Sequence, residues 1–171
     1  VRIVDEIMSA LCGDHIFQTL DYRRQSESEL KQYMHQPLQA QVRSTCGRLY
    51  EGQSDKSIAA KAKAALFWER DVNTTINNIR FLGVQHRPDF VVKLEGIRVA
   101  VEVKRGESGA GVREGIGQAL VYASSEDFDF VAYLFVDTSK DKKIRDSLAR
   151  PTEVAFVESL WERYNVRFRV V

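Results

Sequence analysis

A mixed α/β domain, with a central sheet flanked by helices, is the fold class that three observations predict for this 171-residue chain. From Ser57 onward the periodic segments run helix, three strands, helix, strand, helix, strand. Two of those strands flank Glu95-Gly96, a two-residue turn signal, and so form an antiparallel hairpin. The later strands are each reached through a helical segment, which makes them parallel neighbours. A single core suffices at this length, because folding buries roughly 70% of the unfolded chain's surface without a disulfide or metal staple.

The first 55 residues read as an N-terminal helical extension and residues 56–171 as the core domain. Ile3, Ile7 and Leu11 share a helical face that stops at Gly13. Ser26 and Glu29 form a capping box for a segment through Met34, and Pro37 starts a second helix through Leu49, with Leu38, Val42, Cys46 and Leu49 inward. Gly52 to Asp55 is the joint. An Ala-rich helix follows from Ser57 to Asn73, then a strand from Ile76 to Val84. In the hairpin, Phe90, Val92, Leu94, Ile97, Val99, Val101 and Val103 alternate onto one apolar face, which must be core. A glycine-rich link, Gly106 to Gly111, leads to a helix from Val112 to Ser124 with Ile116, Ala119, Leu120 and Ala123 inward. Phe128 to Val136 is a strand buried on both faces. Lys140 to Arg150 is a polar, partly helical connection, Pro151 starts a helix with Val154, Val157 and Trp161 inward, and Asn165 to Val171 is the last strand.

Composition excludes several classes. The chain is 44% hydrophobic and 29% charged with three prolines, which is neither disordered nor fibrous. No apolar run approaches the roughly 20 residues that cross a bilayer, and no charged-then-apolar leader opens the sequence, so a cytoplasmic protein is expected. Cys12 and Cys46 are too few for a secreted disulfide scaffold and lack zinc-site spacing. The net charge of +1 conceals a basic middle: residues 57–105 carry nine Lys and Arg against five Asp and Glu. That balance suits a polyanion such as nucleic acid, or simply a solvated face. The first residue is Val1, compatible with a larger polypeptide, and a homo-oligomer is equally compatible.

The chemistry concentrates on the second face of the hairpin. A turn centred on Glu95-Gly96 sets Asp89 directly across from Glu102, with Lys104 on the same face opposite the core. Two carboxylates so placed repel by about 1 to 4 kcal/mol between water and protein-surface dielectrics. Lys104 supplies one compensating charge, and a hard divalent cation, Mg²⁺ or Mn²⁺, suits an oxygen-only donor pair. Such a metal at a phosphodiester polarises the phosphoryl group and activates water. The bland alternative is an exposed strand face carrying a surface ion pair.

Pro88-Asp89 followed by Glu102-Val103-Lys104 resembles the motif of the PD-(D/E)xK nuclease superfamily, and Gln118 with Tyr122 resembles the Q-x-x-x-Y motif of its RecB-type and type I restriction branches. The resemblance spans roughly Ser57 to Val136. It implies a restriction-endonuclease-like sheet and a metal-dependent nuclease, an endonuclease or exonuclease acting on DNA. It further implies that Asp89, Glu102 and the Val103 carbonyl bind the metal, Lys104 orients water, and Gln118 and Tyr122 contact the strand or support the metal shell. Packing of an ordinary helix is the alternative for Gln118 and Tyr122. Arg87 and Arg105 flank the motif as candidate backbone contacts. The resemblance also implies a further acidic residue from the preceding helix. Glu69 is favoured, as the charged member of the stripe Ile58, Ala62, Ala65, Leu66, Val72, over Glu51 in a loop. Rival functions are an RNA endonuclease and a non-catalytic module that binds nucleic acid or protein.

Overall fold

The computed structural model describes residues 2–18, 20–72 and 75–171. It is a mixed five-stranded sheet flanked by helices. The chain begins with α1 (Arg2–Leu11) and a single turn, α2 (Asp14–Phe17). Ser26 then starts α3 (Glu27–Leu49) through a complete capping box: its Oγ accepts the Glu29 N–H at 3.2 Å, and the Glu29 carboxylate accepts the Ser26 N–H at 2.7 Å. The two helices expected on either side of Pro37 are therefore one. A proline inside a helix costs about 3 kcal/mol. The buried stripe Leu30, Met34, Leu38, Val42, Cys46 runs unbroken past it, and each such side chain contributes about 1.5 to 3 kcal/mol.

Ser54 caps α4 (Asp55–Ala65) by accepting the Ser57 N–H. This helix is shorter than expected. Leu66, Phe67 and Trp68 leave it as β1 (Leu66–Trp68), because their bulk is buried better in an antiparallel pair with β4 (Phe90–Leu94) than on a helix. Val72, expected on the helical stripe, is 96% exposed, and the expected helix end at residue 73 lies outside the described residues. The expected strand from Ile76 to Val84 is also different. It is a separate two-stranded ribbon, β2 (Ile79–Phe81) and β3 (Val84–His86), folded back at Leu82-Gly83.

The hairpin has the expected register. β4 pairs with β5 (Ile97–Gly106) from Leu94 against Ile97 to Phe90 against Val101, and the next position sets Asp89 against Glu102. Its turn uses Glu95 and Gly96 at φ 49° and 79°, the left-handed pair that matches strand twist. Then α5 (Gly109–Ala123) crosses over to β6 (Phe130–Asp137), parallel to β5, and α6 (Lys143–Ser147) and α7 (Pro151–Tyr164) carry the chain to β7 (Val166–Val170), parallel to β6. The sheet order is β1-β4-β5-β6-β7.

Both sheet faces are covered. Val99, Val101 and Val103 pack with α1, α3 and α4 on one side, while Ala100, Tyr133 and Phe135 pack with α5 and α7 on the other. The face expected to lie opposite the core is thus a second core, and the first core runs across the joint at residues 52–55. Leu49 and Val154, both expected inward, are 49% and 41% exposed; Leu160 takes the buried place on α7. α5 approaches β6 so closely at Gly115 that a Cβ there would collide with the Tyr133 ring and hydroxyl. Among the described residues, no helix is long and apolar enough to cross a membrane.

Candidate active site

The site forms where β4 begins and β5 ends, roofed by the first turns of α3 and the last turns of α5. Asp89 is stitched into the sheet on both sides. Its Oδ2 accepts the Val103 N–H at 2.8 Å, and its backbone carbonyl accepts the Glu69 N–H at 3.1 Å. The Asp89 carboxylate is therefore held in place at the end of the ladder. Asp89 and Glu102 are both only 3% exposed. Glu102 is walled by two aromatics: Tyr122 donates its hydroxyl to Oε2 at 3.3 Å, and Tyr133 faces it from β6. Lys104 Nζ lies 3.2 Å from the other oxygen, Oε1.

Two further residues come from a segment where sequence reasoning placed no function. Lys31, in the second turn of α3, reaches Asp89 Oδ1 at 2.6 Å and Glu27 Oε1 at 2.7 Å, and Lys104 lies 3.7 Å from that same Glu27 oxygen. The sequence held a usable signal. Lys31 falls on the helical face of Leu30, Met34 and Leu38, and a lysine on a buried stripe needs a partner.

The electrostatics follow from burial. Removing Asp89 and Glu102 from water pushes both carboxyls above their ordinary range, and their mutual repulsion lifts Glu102 further, to about 8. Lys31 and Lys104 temper this without cancelling it. Burial disfavours the charge on each lysine, but the surrounding carboxylates win and hold both above the usual lysine value. Burial, then Glu102, raises the Tyr122 hydroxyl, so it stays protonated as a donor.

The remaining sequence-predicted residues divide. Glu69 does not sit on a helix; it follows β1, lies beside Asp89 through the strand pairing, and is 3.6 Å from Arg87. Its charge is balanced by Arg87, which explains its tolerance without a metal. Glu51 is exposed in the turn after α3. Arg105 donates to the Arg23 carbonyl at 2.9 Å and so pins the loop before α3. Gln118 lies one turn before Tyr122, and its Oε1 is buried with no hydrogen-bond partner among the described residues.

The donor set suits a hard divalent cation by its chemistry. Asp89 and Glu102 offer oxygens only and lie across the hairpin from each other, and with Glu27 they outnumber the two lysines, Lys31 and Lys104, that pair with them. Among the described residues, no group of three or more His, Cys, Asp or Glu converges to hold a metal. The fit is to an ion that takes two carboxylates, a backbone carbonyl such as that of Val103, and water for the rest. Comparison with known proteins gives no relative: no family model matches the chain, and no curated protein or solved structure matches it either.

Proposed function

We propose that the chain is a Mg²⁺- or Mn²⁺-dependent nuclease of the PD-(D/E)xK type that hydrolyses DNA phosphodiester bonds. The observation that carries this reading is the opposition of Asp89 and Glu102, both buried, with Lys104 on Glu102 and Tyr122 on its other oxygen. Counting Glu27, three carboxylates face the two lysines Lys31 and Lys104, and that surplus of negative charge favours a bound cation over a closed set of structural ion pairs.

In this reading Asp89, Glu102 and the Val103 carbonyl hold the metal, which when bound supplies Lewis acidity at the phosphoryl oxygen and a lower pKa for an attacking water. Lys104, held by Glu102 and Glu27, orients that water and offers its ammonium to charge developing on the phosphate. Tyr122 keeps the Glu102 carboxylate aimed by donating to Oε2. The unpaired Gln118 Oε1, which costs about 1 to 3 kcal/mol when unsatisfied, is completed by substrate or by a metal-shell water. Lys31 must release Asp89 for the metal to bind; its existing bond to Glu27 gives it a place to remain.

That same contact favours a second reading, a non-catalytic nucleic-acid or protein-binding module in which Lys31 permanently neutralises Asp89. One assay separates the two: cleavage of linear, circular and single-stranded DNA, and of RNA, in Mg²⁺, Mn²⁺ and Ca²⁺. Lys104→Ala and Asp89→Asn are each expected to lose about 10² to 10⁴-fold in rate with Mg²⁺ while remaining folded. Equal rates for wild type and Lys104→Ala would refute the assignment, and cleavage of RNA alone would replace the substrate.

A further inference from the structure

The ribbon β2–β3 breaks two local rules at its tip. Leu82 is 88% exposed, and its φ is 49°, a left-handed conformation that bulky side chains avoid. The hairpin β4–β5 provides an internal comparison, because it turns through nearly the same angles, 49° and 79°, but places a charged residue, Glu95, where the ribbon has leucine. Phe81 and Val84 pair across the tip and are 43% and 56% exposed. The base is held down by Ile76, which is buried, and by Ile79, which packs against the α5 side of the core. An isolated two-stranded ribbon is marginal in water. Here strain and apolar exposure are added at the point farthest from its anchor, so the tip is shaped for something other than stability.

Charge and position identify the partner. No Asp or Glu occurs from Val72 to Pro88; Arg80 stands on the ribbon itself, while Arg87, just past its end, faces Glu69. Arg80 pairs with Gln85 across the ribbon's second, polar face. β3 ends at His86, and Asp89 follows three residues later, so the ribbon leads directly into the proposed metal site. An apolar tip on an acid-free, arginine-bearing ribbon fits a polyanion with apolar surface to offer, which is nucleic acid whose bases have parted.

Resting on the nuclease reading, we propose that the β2–β3 ribbon is a wedge that engages DNA forks, with Leu82 and Phe81 set against the terminal base pair where duplex gives way to unpaired strands. The seven steps along the chain from Leu82 to Asp89 span at most about 23 Å when extended. Cleavage therefore falls within about seven nucleotides of the junction, given the rise of about 3.4 Å per base pair.

The test is binding of a forked duplex and a blunt duplex of the same sequence, by fluorescence anisotropy in Ca²⁺, with Leu82→Asn as the variant. Asparagine accepts the left-handed conformation and precedes Gly83, a pair that such turns favour, so the ribbon should be as stable or more so. Wild type is expected to bind the fork about tenfold more tightly than the blunt duplex. Leu82→Asn should lose that preference, keep its affinity for the blunt duplex, and keep or raise its Tm. A retained fork preference in Leu82→Asn overturns the proposal, as does equal wild-type affinity for the two DNAs; in both cases metal-dependent cleavage would leave the nuclease reading standing. A change of oligomeric state in Leu82→Asn, by light scattering, would assign the tip to self-association instead. No binding to either DNA would overturn the wedge and the DNA substrate together.

Discussion

Asp89 and Glu102 make the protein's stability depend on pH in an unusual direction. Burial raises their folded-state pKa values, Glu102 to about 8, so the native state binds protons more tightly than the unfolded chain. The resulting stabilisation is complete below the unfolded carboxylate values and is lost as pH rises through about 8. The Tm of metal-free protein is expected to fall between about pH 5 and 8.5, and saturating Mn²⁺ should flatten the slope by replacing the protons; a flat metal-free profile would show that the carboxylates are not so strained. Lys31 is the second test at this scale. Lys31→Met leaves buried Asp89 without its cation and should cost about 3 to 5 kcal/mol in metal-free denaturant unfolding. Mn²⁺ should recover most of that loss and bind more tightly than to wild type, as titration calorimetry would show. Of these residues, Asp89, Glu102 and Lys104 were legible because a two-residue turn fixes register by arithmetic. Lys31 lies outside the sequence-predicted site, since the 57 residues between it and Asp89 carry no local pattern that says which helix roofs which strand end.

At the scale of elements, what was legible depended on how many forces agreed. Propensity, alternation and turn chemistry all specify β4–β5, and α7 carries both period and a starting proline; α5 carries the period alone, and it begins at Gly109, inside the expected glycine-rich link, three residues before the expected Val112. The stretch after α4 had conflicting signals: helical spacing of Ile58, Ala62, Ala65 and Leu66 ran on past the point where Leu66, Phe67 and Trp68 gain more from pairing with β4. Trp68 then stacks on His35 at 4.4 Å, a contact between distant segments that no window contains. Gly115 is similar. It reads as a weak helix former, yet it is the position that lets α5 reach β6 over Tyr133. Gly115→Ala, favourable by helix propensity, is instead expected to destabilise by about 1 to 3 kcal/mol through overpacking, measured by denaturant unfolding. An unchanged or raised stability would mean that the α5–β6 contact is looser than described.

For the whole molecule, the sequence division at residue 55 marks a joint in the chain and not a seam in the core. α1, α3 and α4 bury the same sheet face with one continuous set of side chains, and α3 also delivers Glu27 and Lys31 to the site. The N-terminal helices are one layer of the sandwich, a role that chain order alone does not reveal. The ion pair between Asp5 of α1 and Arg167 of β7, at 3.0 Å, has a consequence for connectivity. It brings the first and last elements of the chain side by side, while Gly52 lies exposed between α3 and α4. A circular permutant that joins the present ends through a short Gly-Ser bridge and opens at Gly52 keeps every layer, so it should unfold cooperatively near the wild-type midpoint. A chain starting at Asp55 has the same cut but no α3, and should show no cooperative transition. The order in which the layers are strung together is thus dispensable, though α1 and α3 themselves are not.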